Sequence, residues 1–183
     1  MAKFASDAIL DGLLDVIAAS DQMTACSAQP TTYYEAKDPA AWQASTNYAL
    51  GDCVRPTTRN GKVYEATADA GSSASSEPTW PTTAGNTVVD GGITWTCRVN
   101  YVLASVSMTG SDFTKADGDT NGRKVTMAQK TGVSIHTSGT VNHVALVDDT
   151  AKTLLVTTCT SQVLTAGNTL TFQSWADTIA DPT

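Results

Sequence analysis

The first periodic stretch of the chain predicts a helix. Ile9, Leu10, Leu13, Leu14 and Ile17 recur at three- and four-residue spacing, while Asp7, Asp11 and Asp15 form an acidic row on another face. Ser6 stands where an N-cap belongs, and Asp7 meets the positive end of the helix dipole. Gly12 weakens the helix by roughly 1 kcal/mol relative to Ala, and aspartates four residues apart repel mildly. Such a helix needs a surface to pack on. Two readings of its apolar stripe are open: cover for the chain's own sheet, or docking on a neighbouring subunit.

The remaining periodicity is that of strands. Two short ones are expected around Ala25 and Tyr33, separated by the Gln29-Pro30 break. After Tyr101, Val102, Ala104, Val106 and Met108 share one face and Leu103, Ser105 and Ser107 the other, the pattern of a half-buried strand. Val125 with Met127, Val133 with Ile135, the run Val141 to Val147, the run Leu154 to Cys159, and Leu170 with Phe172 continue the series between turn residues. Thr-Ala-Gly-Asn-Thr occurs at 83–87 and again at 165–169, each time ahead of a strand and a Trp, and reads as a reused turn. The expected fold class is mainly β: a β-sandwich or jelly-roll-like domain with an N-terminal amphipathic helix.

Composition divides this picture. Between Pro39 and Arg98 lie Trp42, Trp80 and Trp95, most of the prolines, and a Ser/Gly/Ala tract from Ala70 to Ser76. This is the mark of a small inserted β module at 38–98, flanked by 1–37, with the helix and first strands, and by 99–183, the rest of the main domain. A length of 183 residues accommodates one well-packed domain and a small second one.

Charge narrows the partners. A formal net charge of -7, with only 16% charged residues, argues against nucleic acid and against an anionic membrane, both of which demand clustered Lys and Arg. No basic stretch followed by a long apolar run appears after Met1, and no segment is apolar for long enough to cross a bilayer as a helix, so synthesis in the host cytoplasm is the expectation. Cys26, Cys53, Cys97 and Cys159 lack zinc-ligand spacing and read as free thiols, although Cys53 and Cys97 fall in one module and could approach each other.

Candidate chemistry is sparse. Asp117-Gly-Asp119-Thr-Asn121-Gly122 opens like a calcium loop, but its twelfth position is Ala128 where a bidentate Glu belongs, which favours a polar turn between strands. His136 and His143 have no nucleophile or second ligand at a telling spacing; His143 reads as a sheet residue. No nucleophile elbow or phosphate loop is present. The expectation is a protein that is not an enzyme, with no catalytic, cofactor-binding or metal-binding residues and no cofactor. Trp42, Tyr48, Tyr64, Trp80 and Trp95 are the candidate glycan or protein contacts, with burial as a module core the competing reading. Ile9, Leu10, Leu13, Leu14 and Ile17 form the candidate docking helix.

A resemblance adds a context. Trp42 to Pro56, Val63-Tyr64-Glu-Ala, Glu77 to Thr83 and Asp90 to Cys97 resemble a small module recurrent in bacteriophage virion and fibre proteins, and are similar to carbohydrate-binding modules of type 5/12. Cys53 replaces the more usual Val of that module. The flanking parts, Phe4 to Glu35 and Val102 to Pro182, resemble a family of small tailed-phage structural proteins, through Cys26 to Tyr33, Ala116 to Val125 and His143 to Asp148. The resemblance implies a capsid decoration (cement) protein on the outer surface of the virion head. Its partners would be the major capsid protein, copies of itself in a candidate trimer, and a surface glycan bound by the 38–98 module. The rival readings it leaves open are a tail-fibre or receptor-binding component and a tail or connector component.

Overall fold

The computed structural model describes residues 5–152 and 154–182; Phe4, where the resemblance begins, lies outside them. Along the chain run α1 (Asp7–Ala18), β1 (Gln22–Cys26), α2 (Tyr33–Ala36), β2 (Asn47–Tyr48), β3 (Cys53–Val54), β4 (Lys62–Ala68), β5 (Gly71–Ser72), β6 (Thr87–Asp90) and β7 (Ile93–Val99). They are followed by β8 (Val102–Ser107), β9 (Phe113–Asp117), β10 (Arg123–Met127), β11 (Lys130–Ser134), β12 (Gly139–Val147), β13 (Leu154–Leu164), β14 (Thr169–Phe172) and β15 (Trp175–Ile179). The fold is mainly β, with several antiparallel sheets and one N-terminal helix, as the strand pattern predicts for a sandwich-like protein.

The chain forms two compact units, one made of the residues up to Gln29 and from Leu103 onward, the other of Pro30–Val102. The second is wider than the 38–98 expected, because its ends hold each other. The Asn100 side-chain amide donates to the carbonyls of Tyr34 and Lys37 at 2.9 and 2.7 Å, and the Tyr101 N–H donates to the Glu35 carbonyl at 2.9 Å. Tyr33, expected in a strand, starts the short helix α2 instead. The Glu35 carboxylate accepts the backbone N–H groups of Thr31 and Thr32 at 2.6 and 3.0 Å, which curls the chain into a turn before it can extend.

In the first unit β13-β12-β1-β8 form one sheet, β15-β10-β9 a second and β11-β14 a third. Met23 lies opposite Leu146 and Leu146 opposite Leu155, so one face of the large sheet presents an apolar row to the core. There Leu14, Met23, Leu103, Met127, Leu146 and Phe172 are buried together. Leu103 is buried with Val102 and Ala104, so β8 begins covered on both faces and only its second half is half-exposed as predicted. The Leu103 carbonyl takes the His136 and Thr137 N–H groups, which closes that edge of the sheet.

α1 packs on β9 and β10. Its acidic row does more than repel: Arg123 donates to both oxygens of Asp11 at 2.8 and 3.1 Å, and Lys115 to Asp15 at 2.5 Å. Ser6 occupies the N-cap position without a side-chain capping bond; its carbonyl accepts the first helical N–H groups instead.

The second unit has a four-stranded sheet β3-β4-β7-β6 and the pair β2-β5. β6 and β7 are joined by Gly91-Gly92, and Asp90 lies opposite Ile93. Gly91 has φ +60°, and a Cβ there would come within 2.4 Å of the Ser72 carbonyl oxygen, so only glycine fits this two-residue hairpin. The repeated pentapeptide folds the same way twice. Asn86 N–H bonds to the Thr83 carbonyl and Gly85 N–H to that of Cys97; Asn168 N–H bonds to Thr165 and Gly167 N–H to Ile135. Gly85 and Gly167 have φ of +86° and +91°.

Candidate functional site

Two tryptophans of the inserted unit converge on a buried carboxylate. Asp90, at the end of β6, is 2% exposed. Its Oδ2 accepts the indole N–H groups of Trp42 and Trp95 at 2.7 and 3.0 Å, and its Oδ1 accepts the Ala74 N–H at 2.9 Å. Trp42, Tyr64 and Trp95 are 5%, 0% and 0% exposed, with Tyr48 and Trp80 packed against them partly covered. Tyr48 and Trp80 meet Trp95 at 76° and 66°, while Tyr64 lies 4.2 Å from Trp80 at 36°. A sugar platform needs a coplanar exposed row; these rings form a core, and the contact role expected for Trp42, Tyr64 and Trp95 gives way to a packing role. A unit this small buries its large aromatics to have a core at all.

The candidate calcium stretch is the β9–β10 hairpin. Asp117 lies opposite Arg123 and pairs with it, Asp119 pairs with Lys124, and the Gly118 N–H bonds to the Gly122 carbonyl. Their carboxylates thus already have cationic partners. No group of three or more His, Cys, Asp or Glu able to hold a metal occurs among the described residues. His143 lies within β12, between Cys26 and Thr158 on the neighbouring strands, and its Nδ1 is 2.7 Å from the Asn142 side chain.

All four cysteines are free. Cys53 is opposite Glu65 and Cys97 opposite Tyr64, so β4 separates them. Two strand spacings amount to roughly 9–10 Å, beyond the reach of a disulfide; the approach left open from sequence is excluded. Burial pushes the Cys26 thiol up to about 11 and raises Cys97 and Cys159 as well. Thiols held protonated this way are poor nucleophiles.

A second polar network of the inserted unit centres on Glu65. The Tyr34 hydroxyl donates to Glu65, whose Oε2 accepts Arg98 Nε and Nη2 at 2.9 and 2.6 Å, and the guanidinium lies 5.3 Å from the Tyr34 ring centre. Burial and the Glu65 carboxylate hold the Tyr34 hydroxyl well above the ordinary tyrosine range, so it stays protonated. The network ties α2 to the sheet and leaves no free base beside a free nucleophile.

What remains are surfaces. The predicted apolar stripe of α1 is split by the fold: Leu10 and Leu14 are buried and Ile17 is half-buried, while Ile9 and Leu13 are 62% and 55% exposed. Val16, which the stripe omitted, is 55% exposed and completes an outward row at positions 9, 13 and 16. The second surface is a groove of about 360 Å³ between β13 and β14, lined by Val144, Thr157, Cys159, Leu170, Phe172 and Trp175 among others. The exposed Val163 belongs to the same strand, β13. Neither β13 as an edge nor this groove is visible in the sequence, because both depend on which strand ends the sheet.

Compared with protein-family models, curated proteins and solved structures, the chain matches none.

Proposed function

We propose that this chain is a non-enzymatic capsid decoration (cement) protein of a tailed bacteriophage, seated on the outer surface of the head, with the major capsid protein and copies of itself as partners. The observation that carries the reading is the outward row Ile9, Leu13 and Val16 on α1. A helix of twelve residues that is apolar on two faces and acidic on a narrow flank is built to be covered on both. The chain's own sheet covers only one. The resemblance of the flanking segments to small tailed-phage structural proteins names the shell as the other cover. Many such shallow contacts on a symmetric shell add up through multivalency, which removes the need for any one deep site. The net charge of -7 favours a place away from packaged nucleic acid.

The rivals have less support. Glycan binding relied on exposed rings, and the rings pack into the core of the inserted unit; no observation favours a fibre, tail or connector role.

The test is to add the purified chain to intact heads that lack it and to locate it by cryo-electron microscopy. Regular density on the outer shell is expected, and Leu13→Asp, which alters an exposed side chain, should abolish it while leaving the circular dichroism spectrum unchanged. Density confined to the tail, or full shell binding by Leu13→Asp, would overturn the reading.

A further inference from the structure

The large sheet ends in a strand without the usual protection. β13 is eleven residues long, forms the outer edge of β13-β12-β1-β8, and contains no charged residue and no proline. Other edges of this unit are guarded by bonds or charges, and β14, which has neither charge nor proline, is only four residues long. β8 gives its Leu103 carbonyl to His136 and Thr137, β9 carries Lys115 and Asp117, and β15 carries Asp177. Charges, prolines and covering segments are how sheets avoid unwanted edge pairing. β13 has only an irregularity, between Thr158 and Gln162, where it takes up extra residues against β12. That irregularity leaves Leu154–Thr158 as a regular run, opposite His143–Val147.

We propose that β13 pairs with β13 of a second copy, antiparallel about a two-fold axis through Val156. The segment is self-complementary: Leu154 meets Thr158, Leu155 meets Thr157, and Val156 meets itself. Every outward N–H and C=O of the run then gains a partner. Thr157 shares a sheet face with Ala25 and Val144, which lie in its cross-strand row. The second copy's Leu155 therefore lands beside Thr157, at the open flank of the groove, and shields apolar lining there from water. The bend after Thr158 stops the pairing at one short run, so the contact closes as a dimer and does not propagate. The inference is independent of the place of the chain in a particle.

The two-fold makes a sharp test, because position 156 must face itself. Sedimentation of the full chain should show a monomer–dimer equilibrium. Val156→Lys and Val156→Glu should each sediment at the monomer mass, since like charges directly opposite one another repel. An equimolar mixture of the two variants should return the dimer mass, a result that misfolded chains would not give. A wild-type chain that stays monomeric up to its solubility limit, a trimer, a dimer that both variants leave intact, or variants whose mixture remains monomeric would overturn the proposal.

Discussion

Replacing Asp90 with Ala removes the single carboxylate that serves Trp42, Trp95 and the Ala74 N–H. The site is sealed, with Asp90, Trp42 and Trp95 at 2%, 5% and 0% exposure, so the stranded donors have no ready route to water. A hydrogen bond to a charged group contributes about 1.5–3 kcal/mol, and three of them sum to roughly 5–9 kcal/mol. Bonds sharing one acceptor are not additive, so a loss of about 4 kcal/mol is the conservative expectation. A unit the size of Pro30–Val102 has a stability of roughly 4–11 kcal/mol at typical values per residue, and the substitution consumes much or all of it. Denaturant unfolding followed by tryptophan emission reports this directly, since Trp42, Trp80 and Trp95 belong to this unit and Trp175 to the other. Asp90→Ala should emit at longer wavelength without denaturant, or unfold at a much lower midpoint. Trp42→Phe removes one of the three bonds, and a cycle with Asp90→Asn should give a coupling of about 1–3 kcal/mol. Unfolding of Asp90→Ala within about 1 kcal/mol of the parent would refute the reasoning.

Further outcomes are expected elsewhere. Gly85→Ala and Gly167→Ala should each cost about 1–2 kcal/mol, because a Cβ at either position meets nothing within 4 Å and only the backbone conformation is strained. Thermal unfolding that shows several-fold different costs would break the equivalence of the two turns. Leu14→Ala should destabilise the first unit by about 2–5 kcal/mol, measured by chemical denaturation, since Leu14 is fully buried on the inner face of α1. Partial burial pushes the Glu35 carboxyl up, but the bonds from Thr31 and Thr32 outweigh it, while the Lys130 ammonium holds Asp112 down; both carboxyls end below their ordinary range. Lowered folded-state values mean that this stability is present above the ordinary carboxylate range and is lost as pH falls through the folded values. The melting temperature should hold between pH 7 and 5 and drop below about pH 4, and Glu35→Gln with Asp112→Asn should flatten that drop.

Strands whose apolar residues stand between turn residues were legible from sequence: β1, β8, β10, β11, β12, β13 and β14 each overlap a run read there, with clean alternation in β8. β9 and β15 were not, since Phe113-Thr-Lys-Ala-Asp and Trp175-Ala-Asp-Thr-Ile mix charge into short strands and become strands only by pairing with β10. Tyr33 misled because its aromatic ring favours a strand, whereas Glu35, two residues later, decides for a helical turn. The reused turn was readable because a glycine and an asparagine at fixed offsets carry their own geometry. Asp90 was not, because nothing in a lone aspartate before two glycines reveals that two indoles converge on it. For α1 the period gave the helix correctly, but five apolar positions span more of the circumference than one sheet can cover, so which of them face outward depended on the β9–β10 hairpin beneath.

The mutual grip of Asn100 and Tyr101 on α2 has a consequence for how the molecule assembles. β1 is made early and must find β8, a partner more than seventy residues later, before the large sheet can form. Closing a loop of that length carries an entropic penalty, but an insertion that folds first and clasps its own ends shortens the effective loop to a handful of residues. About three halvings of length recover ~2 kcal/mol of closure entropy. The insertion is thereby a staple for the domain that hosts it, and loosening Asn100 should slow the joining of β1 to β8 more than it lowers the stability of either unit.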